Sequence, residues 1–231
     1  MPLQGILNTA RSLAYYTRRQ EVTANNLANA NSDAFKADRI MAHVVAGVDA
    51  PVPVQDIDLR QGTFRETSRP LDIGLNGPGF LVVQTPQGER LTRGGSFQLD
   101  TAGRLTDQQG HPVLGTEGPL VLQGGQVDVQ ADGTVTVDDT NVGRLRVVVP
   151  ADASRLLKQG SGLYLATGPV DDADPTKTRV RQGAVEEANL DPLQSMVDLV
   201  TIQRAYAANI EAMRTMDGVL GSITSEVGKT S

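Results

Sequence analysis

Few residues in this chain have the type and spacing that chemistry needs. There are two histidines, His43 and His111, and no cysteine, so thiolate nucleophiles, disulfides and cysteine metal ligands are excluded. His43 follows an N-terminal helical pattern and His111 sits in a Gly110-His-Pro112 turn. Each is isolated, and neither reads as a catalytic base or a metal ligand. Gly74-Leu-Asn-Gly77-Pro-Gly79 has the outline of a phosphate loop. It lacks the loop lysine, and Phe80-Leu-Val-Val83 after it reads as strand where such a loop requires a helix. A tight turn is the expectation. Asp171-Asp172-Ala-Asp174 resembles a fragment of a calcium loop without its glycine and distal glutamate, so a solvated loop is expected. No serine lies in a strand–turn–helix elbow. No catalytic residue, cofactor site or metal site is expected, and the chain reads as a non-enzyme.

The elements that would have to position any site are marked by glycine and proline. Twenty of the 24 glycines and ten of the 12 prolines fall between Met41 and Asp191. Both residues disfavour helix interiors, by about 1 and 3 kcal/mol relative to alanine. Two helix-compatible ends therefore bracket a turn-rich middle. With 39% hydrophobic residues, 3% aromatic and no tryptophan, a core is built from Val, Leu and Ala. The net charge of -6 argues against a nucleic-acid partner, which calls for a basic face. No apolar run approaches the roughly 18–20 residues of a membrane span. The first residues lack the apolar core of a secretory signal, so composition alone points to the cytoplasm.

At the C-terminal end, Pro192 suits a first helical turn and Asp191 suits its N-cap. Leu199, Ile202, Tyr206, Asn209, Met213, Met216, Leu220, Ile223 and Val227 then step by three and four, a heptad-like seam. Met196, Val200, Ala207 and Ile210 widen it. A helix from Pro192 to Val227 would be about 50 Å long at ~1.5 Å per residue, weakened at Gly218 and Gly221. The N-terminal seam (Leu3, Ile6, Ala10, Leu13, Thr17, Gln20, Ala24, Leu27) is diluted by small and polar residues and ends around Asn29 to Asn31. Residues 1–40 carry a net +2 and residues 185–231 a net -4. Exposed ion pairs are worth about 0–1 kcal/mol each, enough to favour register but not to hold the ends together. A two-helix pair leaves much of each stripe wet. The ends are expected to be loose alone and ordered once neighbouring chains cover them.

Between about Val52 and Thr178 the period becomes two. Ile73–Leu75, Phe80–Val83, Ser96–Leu99, Val127–Val129, Thr134–Val137 and Leu145–Val149 read as short strands. Thr85-Pro-Gln-Gly88, Asp100-Thr-Ala-Gly103 and Gln130-Ala-Asp-Gly133 read as hairpin loops closed by a left-handed glycine. The fold class is α+β: terminal helices pairing as a coiled coil, with a mostly antiparallel β domain inserted between them. The expected divisions are 1–46, 47–183 and 184–231, the first and last forming one discontinuous helical domain.

The ends carry more than periodicity. Thr23-Ala-Asn-Asn-Leu-Ala-Asn-Ala-Asn31 followed by Phe35-Lys36 resembles the N-terminal signature of the bacterial flagellar basal-body rod and hook proteins. Asn189-Leu-Asp-Pro192, Met196-Val-Asp-Leu-Val200, Gln203-Arg-Ala-Tyr206 and Asp217-Gly-Val-Leu220 resemble their C-terminal signature. In the middle, Arg69-Pro-Leu-Asp-Ile-Gly-Leu-Asn-Gly-Pro-Gly-Phe80, Leu91-Thr-Arg-Gly-Gly-Ser-Phe97 and Gly103-Arg-Leu105 match as well. Size, the Arg69 phrase and Val142-Gly-Arg-Leu145 look most like the proximal-rod members, whereas Gln203-Arg-Ala-Tyr206 suits distal-rod members equally. One departure is Ser32-Asp-Ala34, where relatives carry a turn glycine before the phenylalanine.

The resemblance implies a structural rod subunit. It would polymerise head-to-tail through its terminal helices with copies of itself and other rod subunits, inside the periplasm. It also implies delivery by the flagellar type III export apparatus without a cleavable signal peptide. The implied assembly residues are Asn25, Asn26, Leu27, Asn29 and Phe35 at the first end, and Asn189, Met196, Leu199, Ile202, Gln203, Arg204, Tyr206, Met213, Met216, Leu220 and Ile223 at the second. For the three N-terminal asparagines the choice lies between satisfying backbone groups and bridging to neighbours. Arg69 and Asp72 are expected to fix the start of the β domain. The alternatives are a distal-rod or hook-type subunit, a β-domain ligand-binding module on a helical dimerisation stalk, and a hydrolase whose site lies beyond the motifs above.

Overall fold

The computed structural model describes residues 2–43 and 52–227. The chain divides into two units: residues 1–30, 38–57 and 190–231 form one, and residues 31–37 and 58–189 the other.

The first unit holds both helices, α1 (Pro2–Ala28) and α2 (Pro192–Val227), which lie against each other. The fold is therefore α+β with the terminal helices paired, as the sequence predicts. Asp191 caps α2 by accepting from Leu193 N–H at 2.9 Å and Gln194 N–H at 3.4 Å, two donors that a helix start leaves unsatisfied. Gly218 and Gly221 do not interrupt the helix. On α1 the expected seam is only partly the buried one. Ala10, Thr17 and Ala24 are exposed, whereas Thr9 and Val22 are buried. With so few large apolar residues on α1, close approach decides the packing, not hydrophobic spacing. At Gly5 an added Cβ would stand 3.4 Å from Met216 Sδ, in ordinary contact, so α1 and α2 lie close together there. The unit is completed by an antiparallel pair, Asp38–His43 with Val52–Ile57, which places Met41 opposite Val54. Both side chains are exposed.

The second unit is built from antiparallel strands. Its main sheet has six, in the order Leu156–Gly160, Leu163–Ala166, Gly88–Thr92, Phe80–Thr85, Val147–Pro150, Val170–Asp172. A three-stranded sheet (Val127–Val129, Thr134–Val137, Thr140–Arg144) and several two-stranded ladders surround a core that includes Ile73, Leu81, Phe97, Val113, Leu122 and Leu145. The three expected loops are hairpins, and Gly88, Gly103 and Gly133 hold φ of 102°, 76° and 91°, where other residues are strained.

Two strand readings shift. Of Ser96–Leu99 only Gln98–Leu99 joins a ladder, because Ser96 makes a separate bridge to Asp72. Leu145 belongs to neither neighbouring strand but bridges to Gly115, and the strand after it starts at Val147.

At Ser32-Asp33-Ala34 the bend survives without its glycine. Ala34 itself takes φ 53°, its methyl is buried, and its N–H donates to the Glu186 carbonyl at 2.7 Å. A left-handed alanine costs about 1–2 kcal/mol, which the surrounding contacts must outweigh.

Candidate assembly interface

On α2 the expected seam is the side turned inward. Ile202 is 2% exposed, and Leu199, Tyr206 and Met213 are half-buried. Met216 is more open, with its sulfur 4.0 Å from the Thr9 hydroxyl, which donates to it. Leu220 and Ile223 lie on the helix, but their side chains are outside the described residues, as are those of Leu3 and Ile6 on α1. Gln203 and Arg204 face solvent. An apolar stripe on the other side of the helix is exposed: Leu193, Met196, Val197 and Val200, with Val197 at 59%. A heptad seam is satisfied by one partner helix. The side turned away from it stays exposed.

The asparagines divide between the two alternatives. Asn26 satisfies backbone: its Oδ1 accepts from Asp38 N–H at 2.9 Å and its Nδ2 donates to the Asp38 carbonyl at 2.8 Å. That double bond mimics a neighbouring strand and starts the β pair at Asp38. Asn29 does so too, donating from Nδ2 to the Asn25 carbonyl at 2.9 Å where α1 ends. The Asn25 side chain is exposed and Leu27 is half-buried. In the second unit Asn189 plays the part that Asn26 plays in the first. It accepts from Ala37 N–H at 2.8 Å and donates to the carbonyls of Asp58 at 2.7 Å and Arg60 at 2.9 Å. Phe35 is half-buried under the Lys158 ammonium, 4.6 Å from the ring centroid.

What sequence reasoning missed is a buried charge cluster that closes the second unit. Glu186 is completely enclosed. Its Oε1 accepts from Lys36 Nζ at 2.5 Å and Gly62 N–H at 2.9 Å, and its Oε2 from Arg93 Nε at 3.1 Å and Nη2 at 2.8 Å. Lys36 also donates to the Arg60 carbonyl at 2.8 Å. Arg93 reaches the carbonyls of Leu75, Gly77 and Gly79 at 3.1, 2.8 and 2.7 Å. Burial pushes the Lys36 pKa below its usual 10.5, and the bond to Glu186 opposes that shift. One carboxylate thus joins the residue that enters the unit, the residue just past the end of the strand Gly88–Thr92, and the strand (Ala184–Glu186) by which the chain leaves. Two clues were available. Lys36 and Arg93 sit inside the motifs quoted above, and Glu186 is a charge in an otherwise apolar short strand.

The same cluster explains the Gly74–Gly79 loop. It turns between two strands with Gly77 and Gly79 at φ 117° and 131°, and its carbonyls face a guanidinium, the wrong polarity for a phosphate. His111 Nδ1 lies 2.9 Å from Asp107 Oδ2 within its own turn, and Asp174 is occupied by Thr176. Arg69 stands 3.7 Å from the buried carboxylate of Asp72, at the head of the first core strand.

A chain whose buried charges bind its own entry and exit, and whose long terminal helix presents an apolar stripe, has the form of an assembling structural subunit. Comparison with known proteins makes the class specific. Residues 181–226 match the family model for the flagellar basal body rod FlgEFG protein C-terminal region, and residues 74–157 that for the flagellar hook protein FlgE/F/G D1 domain. The flagellar basal-body rod protein FlgF of Escherichia coli K12 is 35% identical over 92% of this chain and 94% of its own length. FlgF of Caulobacter vibrioides is 33% identical over 92% and 93%. The rod protein FlgG of Bacillus subtilis is 24% identical over 96% and 98%. The chain belongs to the flagellar basal-body rod protein family and is FlgF-like within it. That membership places it with the structural, non-enzymatic proteins of the basal-body rod, corrects the cytoplasmic reading of its composition, and sets aside the ligand-binding and hydrolase alternatives.

Proposed function

We propose that this chain is a subunit of the proximal rod, joined to copies of itself and to other rod subunits through α1 and α2 within the periplasm. The observation that carries this reading is the apolar flank of α2. Leu193, Met196, Val197 and Val200 stay exposed on the side of α2 turned away from the buried Ile202, so the first unit keeps a surface for a neighbouring helix after its own pair has formed. Contacts that join unlike surfaces head-to-tail generate a helical shaft when their rotation does not close a ring. Eight of the sixteen residues of the sequence-based interface divide between two roles. Ile202, Leu199, Tyr206 and Met213 hold the pair, whereas Met196, Gln203, Arg204 and the exposed Asn25 meet neighbours. Greater identity to FlgF than to FlgG relatives favours the proximal over the distal rod. Passage through the flagellar type III export apparatus completes the reading.

The test is Val197→Asp with Val200→Asp in the full chain. The variant folds like the parent by circular dichroism, yet is missing from isolated basal bodies and leaves cells non-motile. Wild-type motility with the variant present in basal bodies would overturn the assignment.

A further inference from the structure

Asn76-Gly77 is the chain's single Asn-Gly step. In such a step the glycine nitrogen can attack the asparagine side-chain carbon. A new N–Cγ bond forms, the side-chain nitrogen leaves as ammonia, and a succinimide ring results. Water then opens the ring at either carbonyl, giving aspartate or isoaspartate. Glycine permits the reaction because no side chain hinders the approach. Here the glycine is obligatory: Gly77 holds φ 117°, and a Cβ would stand 2.2 Å from the Lys177 carbonyl oxygen. Asn76 is exposed, at the end of the strand Ile73–Asn76 and opposite Arg179. The fold therefore retains a labile pair that no substitution at Gly77 can remove without a clash.

The contacts around that pair oppose the reaction. Gln61 straddles Asn76, donating from Nε2 to the Leu75 carbonyl at 2.9 Å and accepting from Gly77 N–H through Oε1 at 3.1 Å. Arg93 grips the carbonyls of the same two residues. Attack requires the Gly77 nitrogen to leave its acceptor, lose its proton and swing toward Asn76 Cγ. The bond to Gln61 resists the first two steps, and the clamps on both flanking peptides resist the third. We propose that Asn76 is a deamidation site of this protein and that Gln61 is the positioning residue that holds it closed in the folded unit. The aspartate product faces Arg179 without altering the backbone. The isoaspartate product lengthens the backbone within the strand and breaks its register with Arg179–Gln182.

Full-length protein held at mildly alkaline pH and mapped by peptide mass spectrometry tests this, with the exposed Asn31, followed by Ser32, as internal reference. Gln61→Leu speeds conversion at Asn76 by roughly two- to tenfold, the worth of one net hydrogen bond, and leaves Asn31 unchanged. Gln61→Glu retains an acceptor for Gly77 N–H and stays near the parent rate. In urea all three chains convert at one rate. Equal rates at Asn76 for the folded parent and Gln61→Leu would overturn the proposal, as would an equal acceleration at Asn31, which signals general loosening.

Discussion

Glu186→Gln is the most revealing single change. The substitution keeps shape and removes charge, leaving Lys36 and Arg93 enclosed with no anion between them. The carboxylate now accepts four hydrogen bonds, three of them from the two cations. Removing one member of a buried ion pair costs about 3–5 kcal/mol, mostly the penalty of the charge left behind. A domain stable by about 5–15 kcal/mol would lose a large share of its margin. The midpoint of thermal unfolding for the β unit should fall by roughly 10–20 °C. A thermal melt at the β-sheet circular-dichroism band measures the midpoint, and urea unfolding at the same band measures the free energy lost. Lys36→Met supplies the control. Alone it removes one cation and leaves Glu186 with Arg93, so the cost is smaller. Combined with Glu186→Gln it removes one stranded charge, so the double variant should regain at least about 1 kcal/mol over Glu186→Gln alone. A Glu186→Gln chain within about 0.5 kcal/mol of the parent, the usual range of a surface change, would refute the reasoning.

Other outcomes follow from the same geometry. Because the Lys36 pKa is lowered on folding from 10.5, the folded state binds fewer protons than the unfolded one between the two values, and this group's contribution rises with pH across that window. In Glu186→Gln the raising partner is gone, so the window widens downward and the deficit relative to the parent should shrink as pH approaches 10.5 in stability measurements. Ala34→Val forces a β-branched residue into the left-handed region and should destabilise by at least about 1–2 kcal/mol in urea. Ala34→Gly should be neutral within about 1 kcal/mol, since relief of strain is offset by chain entropy and a lost buried methyl. Ile202→Asp should leave the cooperative unfolding of the β unit in place yet keep the chain out of rods, read from isolated basal bodies.

How legible this was depended on range. The α2 boundaries and cap, the three glycine-closed hairpins and the period-two strands are local signals, and residues such as Asp191, Pro192 and Gly133 announce them. The α1 seam was misread in part because few large apolar residues mark it, and Thr9 and Val22 are buried where Ala10 and Ala24 are exposed. The cluster at Glu186 joins residues 93 and 150 positions distant, and no spacing rule links them. Asn26 and Asn189 were visible as motif members. Their work as surrogate strand edges for Asp38 and Ala37 appears only once the backbone is in place. The bend at Ala34 shows the converse, a left-handed conformation held by a residue that does not favour it.

Hydrogen exchange of the α1 and α2 amides, compared between the dilute chain and assembled rods, tests the central claim most directly. The account predicts rapid exchange along both helices in the free chain, with the β unit already protected, and strong protection of the helices after assembly. Helix amides as slow to exchange in the free chain as in the rod would contradict it.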